Sequence, residues 1–310
     1  MASRQKIDRA KAGDRQLLPP QSPAAPQTKN RLRIATAEEL DRLEDADIVL
    51  LPGRAALLPA TQTLVCADVH LGKAATFRRA GMPVPEGSAQ QDLKRLIGLI
   101  ERYEARRLII AGDLFHARAG CTPRVLSEFT DFRERLRRVT DPEVVLVLGN
   151  HERSLGRQFS PYDLGIDCFV KELIEPPFRF VHEPAVSVVD CGVAGKVHRS
   201  AGRKPESNPP QSTGAPHASA ASDSSTAIAA GEPSPPAGHF TIAGHLHPTI
   251  SLRSPSGDRL SGRCFVAVPG LLVLPAFGSF TGGHRVISGR EKQIWLADDE
   301  GACEVTGLFR

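Results

Sequence analysis

The sequence predicts an α/β fold, because short apolar runs alternate with amphipathic helical segments. Residues 64–67, 108–111 and 144–148 form three such runs, and they have the length and the β-branched content of buried strands. One helical segment lies in each of the two gaps between them. The order strand, helix, strand, helix, strand indicates an α/β sheet.

Each helical segment begins at residues that favour a helix start and carries an apolar face. Ser88 can cap the first helix, and Thr122 followed by Pro123 can start the second. The apolar faces comprise Leu93, Leu96, Ile97 and Ile100 in the first helix and Val125, Leu126, Phe129, Phe132 and Leu136 in the second. Two more runs with the character of strands follow, at residues 178–181 and 240–243.

Two stretches lack the apolar side chains that a core needs. Residues 1–30 combine charge with proline and predict a disordered basic tail. Residues 199–238 are rich in proline, serine and alanine and contain no aromatic residue, which predicts a disordered insertion. Because suggestive polar motifs lie on both sides of this insertion, we predict a single domain over residues 31–310 that the insertion interrupts.

The net charge and the cysteine content exclude few classes of function, but the cysteine pattern favours the cytoplasm. The chain has 39 lysines and arginines against 35 aspartates and glutamates, a net charge of +4, which suits a polyanionic partner without requiring one. Its six cysteines form no C-x-x-C pair and no disulfide framework. With neither a signal-peptide pattern nor an apolar stretch of membrane-spanning length, the sequence predicts a cytoplasmic protein with no membrane partner.

Polar side chains follow all five runs directly, at the place where α/β sheets bind ligands. Taken alone, each motif has an ordinary explanation, such as a turn, a helix cap or a buried histidine. Burying the whole set without a metal would be very costly, and mixed carboxylate, amide and imidazole ligands suit Mn, Fe or Zn. The set comprises Asp68, His70, Asp113, Asn150, His151, His182, His245 and His247.

The order of these motifs resembles that of the calcineurin-like metallophosphoesterases, from residue 64 to residue 248. More narrowly, residues 71–79, 113–116, 244–248 and 274–283 resemble the ligase-associated DNA-damage-response phosphoesterase branch. The resemblance implies a four-layer α/β/β/α sandwich, with two mixed sheets packed face to face and helices outside.

The resemblance also implies a role for each polar residue and two divalent metal ions, with Mn²⁺ expected first and Fe or Zn as alternatives. Asp113 would bridge both ions, and His151 would stay unliganded beside the substrate, as a donor to the leaving alcohol or to the developing negative charge. His116 stands where the wider superfamily often has a carboxylate, so that the partner of His151 stays unassigned. The remaining ligands would be Asp68, His70 and His247 for one ion and Asn150, His182 and His245 for the other, with His198 and His239 as less well placed alternatives to His182.

The implied function is hydrolysis of a phosphodiester by a metal-bridging hydroxide, with DNA as the substrate in repair or end processing. The resemblance further implies a DNA ligase or helicase as a partner. Basic residues after the motifs are candidates for binding DNA phosphates. A hydrolase of small phosphate esters or cyclic nucleotides is the alternative, and a scaffold without catalytic activity is a third. The candidate phosphate ligands are Lys73, Arg78, Arg79 and Arg153, with Arg118 and Arg157 in similar positions.

Overall fold

A computed structural model of the chain describes residues 32–36, 47–155, 162–185, 238–253, 256–286, 289 and 291–308. The predicted tail at 1–30 and all of the predicted insertion at 199–238 except Gly238 lie outside these residues. The domain boundaries therefore stay predictions.

The first sheet contains, within the described residues, seven strands whose spatial order equals their order in the chain. Strands β4 to β7 are parallel, whereas β3 is antiparallel to both of its neighbours and β1 is parallel to β2. The strands are β1 (Ile34–Thr36), β2 (Ile48–Leu51), β3 (Ala55–Leu58), β4 (Thr63–Cys66), β5 (Arg107–Ala111), β6 (Glu143–Val147) and β7 (Cys168–Val170).

The second sheet contains nine described strands, with β9, β10 and β13 parallel to one another near its centre. The path runs β14, β11, β12, β13, β10, β9, β8, and β15 pairs with β12 and with β16. Its strands are β8 (Glu172–Glu175), β9 (Phe178–Val181), β10 (Phe240–Ala243), β11 (Pro248–Arg253), β12 (Arg259–Val268), β13 (Leu271–Val273), β14 (His284–Arg285), β15 (Gln293–Ala297) and β16 (Ala302–Glu304).

The four described α-helices are α1 (Lys73–Arg79), α2 (Ser88–Arg102), α3 (Pro123–Val139) and α4 (Asn150–Leu155). The predicted start of α3 is confirmed, because Thr122 caps it by accepting a hydrogen bond from the Val125 amide at 3.3 Å. The prediction that Ser88 caps α2 is wrong. Gly87, with φ 94°, occupies the cap position, since glycine adopts this left-handed entry without strain, and Ser88 is the first helical residue.

The two sheets pack face to face, and helices cover the outer face of the first. The central apolar cluster joins side chains of both sheets, such as Val65 and Ile109 of the first with Ile242 and Phe265 of the second. A second cluster joins the outer face of the first sheet to α2 and α3. On the outer face of the second sheet, its own strands and the chain around Val286 and Val305 form a smaller cluster. The predicted α/β sandwich with two mixed sheets is confirmed.

All five runs predicted as strands are strands, and they place the motifs together. The parallel strands β4, β5 and β6 end at one edge of the first sheet, and β9 and β10 end side by side in the second. Since the sheets face each other, the residues after these five strands meet at one end of the sandwich. In the described part of the chain, no helix is both long enough and apolar enough to cross a membrane.

Candidate metal centre

The loops after β4 and β5 continue the parallel pairing of the strands before them. The Asp68 amide donates to the Gly112 carbonyl at 3.0 Å, and the His70 amide donates to the Asp113 carbonyl at 2.9 Å. The two motifs are thereby fixed side by side, although neither belongs to a strand.

Two glycines leave room for side chains that cross the site. A β-carbon on Gly112, which has φ 87°, would lie 2.1 Å from His182 Nδ1. A β-carbon on Gly149 would lie 2.1 Å from Asp113 Oδ1. Both distances are far inside van der Waals contact, so any larger residue would displace a site side chain. The sequence predicted a tight turn or a close approach at these glycines, and both occur.

The first cluster of the centre consists of Asp68, His70 and His247. His247 Nε2 lies 3.2 Å from His70 Nε2 and 3.2 Å from Asp68 Oδ1. Ligand atoms bonded to one ion at about 2.1 Å are themselves about 3.0–3.4 Å apart, as octahedral or tetrahedral geometry requires. These three side chains therefore have the spacing of ligands to a common cation.

The second cluster surrounds the ring of His182. Its Nε2 lies 2.9 Å from Asn150 Oδ1, 3.1 Å from His245 Nδ1 and 3.3 Å from Asp113 Oδ2. Of the alternatives to His182, His239 precedes β10 and His198 lies outside the described residues. The structure thus brings His182 to the other ligand candidates of this cluster.

Asp113 lies between the two clusters. Its Oδ2 is 3.3 Å from His182 Nε2 and 4.0 Å from His70 Nε2, so that one oxygen faces a ligand candidate of each cluster. Its Oδ1 accepts a hydrogen bond from the His151 backbone amide at 3.1 Å, which fixes the carboxylate plane. A carboxylate held in this way has the position that a bridge between two cations needs.

The donor atoms fit divalent cations in both chemistry and hydrogen bonding. The buried Asp68 Oδ1 accepts no hydrogen bond, whereas its partner Oδ2 accepts one from the His245 amide at 2.9 Å. Burial lowers the pKa of His70 to about 2, which keeps this imidazole in the neutral form that binds metals. Against the effect of burial, the hydrogen bond to Asp113 and the charge of Asp68 raise the pKa of His182 to about 9. The carboxylates of Asp68 and Asp113 therefore favour a positive charge at the His182 ring.

Five of the residues proposed as ligands have a left-handed backbone. Their φ angles are 56° at Asp68, 52° at His70, 50° at Asp113, 70° at His245 and 42° at His247. Side chains other than glycine rarely adopt this region, and such strain collects at functional sites. The left-handed residues aim side chains from tight loops at one point, which regular strands could not do.

His151 and His116 pack together at the edge of the centre. Their ring centroids are 4.8 Å apart, and the His116 centroid is 5.3 Å from that of His70. Burial lowers the pKa of both imidazoles, that of His116 to about 4. No role could be assigned to His116 from the sequence, although its place three residues after Asp113 marked it as a departure from the superfamily pattern. The structure identifies it as the ring neighbour of His151.

Glu152 is a buried support of the centre whose role the sequence did not predict. Its carboxylate accepts backbone hydrogen bonds from Asp113 at 3.0 Å, Phe115 at 2.9 Å and Gly149 at 3.0 Å. Burial and then the charge of Asp113 raise its pKa to about 7, against the hydrogen bonds from Phe115 and Gly149. Since it ties the loop after β5 to the loop after β6, Glu152 fixes the distance between Asp113 and Asn150.

Replacing Glu152 by glutamine is expected to destabilise the protein and to weaken metal retention. The side-chain NH₂ group of glutamine would face backbone N–H groups, so that donor would meet donor and hydrogen bonds would be lost. We therefore expect the free energy of unfolding to fall by about 2–3 kcal/mol. Urea denaturation and metal analysis of the folded protein would measure both effects. Glu101→Gln, on the exposed face of α2, is the matched control. Unchanged stability in the Glu152 variant would contradict the supporting role.

The basic residues predicted to bind substrate have different environments. Lys73 is half-buried and lines a cleft with His70, and burial lowers its pKa while the charges of Asp68 and Asp113 oppose this shift. Three arginines contact protein groups instead. Arg78 donates to the carbonyls of Val84 and Pro85, Arg79 donates to that of Ala119, and Arg153 pairs with Glu183 at 2.5 Å. Arg157 lies outside the described residues.

Comparisons with known proteins agree with this geometry. A family model for calcineurin-like phosphoesterases matches residues 61–210. The crystal structure of Pseudomonas putida nuclease MPE is similar to this chain, with a TM-score of 0.55 and 27% sequence identity. The match covers 82% of this chain and 94% of that one. A search of curated proteins found no match. A calcineurin-like phosphoesterase domain and the similarity to a nuclease thus support a metal-dependent hydrolase of phosphate esters.

Proposed function

We propose that this protein is a binuclear phosphodiesterase that cleaves DNA. The observation that supports this proposal best is the position of Asp113 between two groups of metal-type ligands, beside the partly exposed ring of His151. The similarity to a nuclease favours a nucleic acid as the substrate. The family resemblance favours DNA repair or end processing as the setting, with a DNA ligase or helicase as the partner.

Each side chain of the centre has a defined task in this proposal. Asp68, His70 and His247 hold one divalent ion, Asn150, His182 and His245 hold the other, and Asp113 contacts both. When bound, two such ions activate water at neutral pH and offset the charge of the phosphoryl group. Mn²⁺ is the ion we expect, because imidazole, carboxylate and amide ligands are mixed here.

His151 supplies the proton that the leaving alkoxide needs. Its side chain is 27% exposed, whereas that of Asp113 is 3% exposed, so the imidazole is within reach of a bound ester. Its Nε2 lies 3.7 Å from Asp113 Oδ2, and its backbone is fixed by the Asp113 carboxylate. A positioned imidazole of this kind donates a proton or a hydrogen bond in the transition state. Lys73, half-buried in the cleft beside His70, would bind a phosphate oxygen of the substrate.

A substrate panel in excess manganese tests the proposed function. It compares single-stranded and nicked DNA with methyl p-nitrophenyl phosphate, a nucleoside monophosphate and a cyclic nucleotide. We expect the highest kcat/KM on DNA. Wild-type protein that hydrolyses only the monophosphate or the cyclic nucleotide would support the small-ester alternative. Metal-loaded protein inactive on every substrate would support the scaffold.

A further inference from the structure

We propose that Phe280 stacks on a nucleobase of single-stranded DNA and thereby positions the chain for cleavage at the metal centre. The inference rests on the proposed function, since it assumes that DNA is the substrate. It concerns the segment at residues 277–281, which the sequence marked as part of a family motif without giving it a role.

Phe280 is exposed although it is a large aromatic residue. Its relative exposure is 37%, and in the described part of the chain the other exposed large hydrophobic side chains are aliphatic. The ring makes a T-shaped contact with Phe77, with centroids 5.4 Å apart and planes at 86°. An exposed ring supported by a second ring offers a π face to a planar ligand.

The backbone around Phe280 is held by a buried carboxylate and a half-buried guanidinium group. Asp92, which is 3% exposed, accepts a hydrogen bond from the Ser279 amide at 2.8 Å. Arg263 donates to the carbonyls of Gly278, Ser279 and Thr281 at 3.0, 2.8 and 2.9 Å. Holding the backbone beside an exposed aromatic residue in this way costs entropy and buries little apolar surface. A rigid aromatic contact is useful for binding, because the ligand then does not have to order it.

The same segment is joined directly to the metal centre. The Phe277 amide donates to the Ala67 carbonyl at 2.8 Å, and the Gly278 amide donates to the Asp68 carbonyl at 3.1 Å. A β-carbon on Gly278 would lie 2.2 Å from the Val69 carbonyl oxygen, so the close approach of these two backbone segments requires glycine at this position. The position of the Phe280 backbone is thereby fixed relative to Asp68.

Phe280 lines a cleft together with His70, one of the ligand candidates. Lys73, Arg78 and Thr281 are also among its lining residues, and the cleft is open to solvent. The rings of His70, His116, Phe77 and Phe280 follow one another with centroid distances of 5.3, 6.5 and 5.4 Å.

These distances set the expected binding mode. With a phosphate bound at the metals, a base about one or two nucleotides further along the strand would lie over Phe280. Lys73 would then lie beside the intervening backbone. Stacking does not depend on base identity, so the contact favours unpaired strands over duplexes without selecting a sequence. A paired base keeps its faces covered by its neighbours and cannot stack on the ring.

The test compares Phe280→Ala, Phe280→Leu and Phe280→Trp with wild-type protein in manganese. On a single-stranded oligonucleotide we expect KM to rise about 5- to 140-fold for the alanine and leucine variants, which is the range for loss of one base stack. Phe280→Trp should keep KM within about threefold of the wild-type value, because indole is a better stacking surface. Leu260→Ala, which removes an exposed side chain at the far end of the β11–β12 hairpin, is the control.

Two further substrates separate stacking from a structural effect. An abasic oligonucleotide of equal length should bind wild type and Phe280→Ala alike, and the variant should keep kcat/KM on methyl p-nitrophenyl phosphate within about twofold of the wild-type value, which is below the smallest loss expected on DNA. Equal losses on all substrates, or a leucine variant with wild-type KM on DNA, would overturn the stacking role while DNA cleavage by wild type stands. Wild-type protein without activity on any oligonucleotide would overturn the proposed function, and the stacking role with it.

Discussion

Asp113→Asn protein is expected to lose nearly all turnover. The carboxylate lies between the two groups of ligand candidates, and an amide in its place removes the negative charge that both cations need. Electrostatic stabilisation of this kind is worth several kcal/mol in the transition state, so the expected loss is about a thousandfold or more in kcat. Metal analysis should show fewer than two ions per chain.

The control for this variant is Asp131→Asn, the same chemical change on the exposed face of α3. It should keep wild-type turnover and metal content. Thermal unfolding of both variants would show that the folded state is retained. Wild-type activity of Asp113→Asn at saturating manganese would exclude Asp113 as the bridge.

His151→Ala is expected to lower the rate by about 10²–10⁴ on DNA, which is the usual contribution of a general acid. The loss should be much smaller on an aryl phosphodiester, because nitrophenolate leaves without a proton. Both metals should remain bound, since Asp68, His70 and His247 form one cluster and Asn150, His182 and His245 form the other without the His151 ring. Parallel kinetics on the two substrates, with metal analysis, would measure all three quantities.

His151→Gln serves as the companion variant, because it keeps a hydrogen-bond donor but provides no proton. If it retained most of the wild-type rate on DNA, or if alanine cost both substrates equally, His151 would act by stabilising charge. Loss of a metal in either variant would make His151 a ligand.

The parts of the fold that the sequence predicted are those whose signal is local. Runs such as residues 108–111, which are buried and contain two isoleucines, became strands within about one residue of the predicted bounds. The ligand candidates could be found because each follows such a run directly. The strands β11 and β12 were not predicted, because exposed polar residues interrupt their apolar character, as at Arg259 and Ser261.

Contacts between distant residues could not be read from the sequence. Glu152 looks like an ordinary charged residue until the turns at Asp113 and Gly149 aim three backbone amides at it. Likewise, Asp92 belongs to the polar part of α2 by its spacing, yet it is buried beneath Ser279, 187 residues later. Only the tertiary fold gives such residues their role.

The left-handed backbone at the candidate ligands has a consequence for laboratory evolution of this enzyme. The left-handed conformation costs residues other than glycine and asparagine about 1–2 kcal/mol. We therefore expect glycine or asparagine at these positions to make the metal-free chain more heat-resistant. Variants selected for heat resistance alone would therefore accumulate changes at His70, His245 and His247, each of which removes a ligand candidate. A screen that seeks robust catalysts should therefore score turnover in every round, because we expect the most heat-resistant chains to have lost proposed ligands and with them their activity.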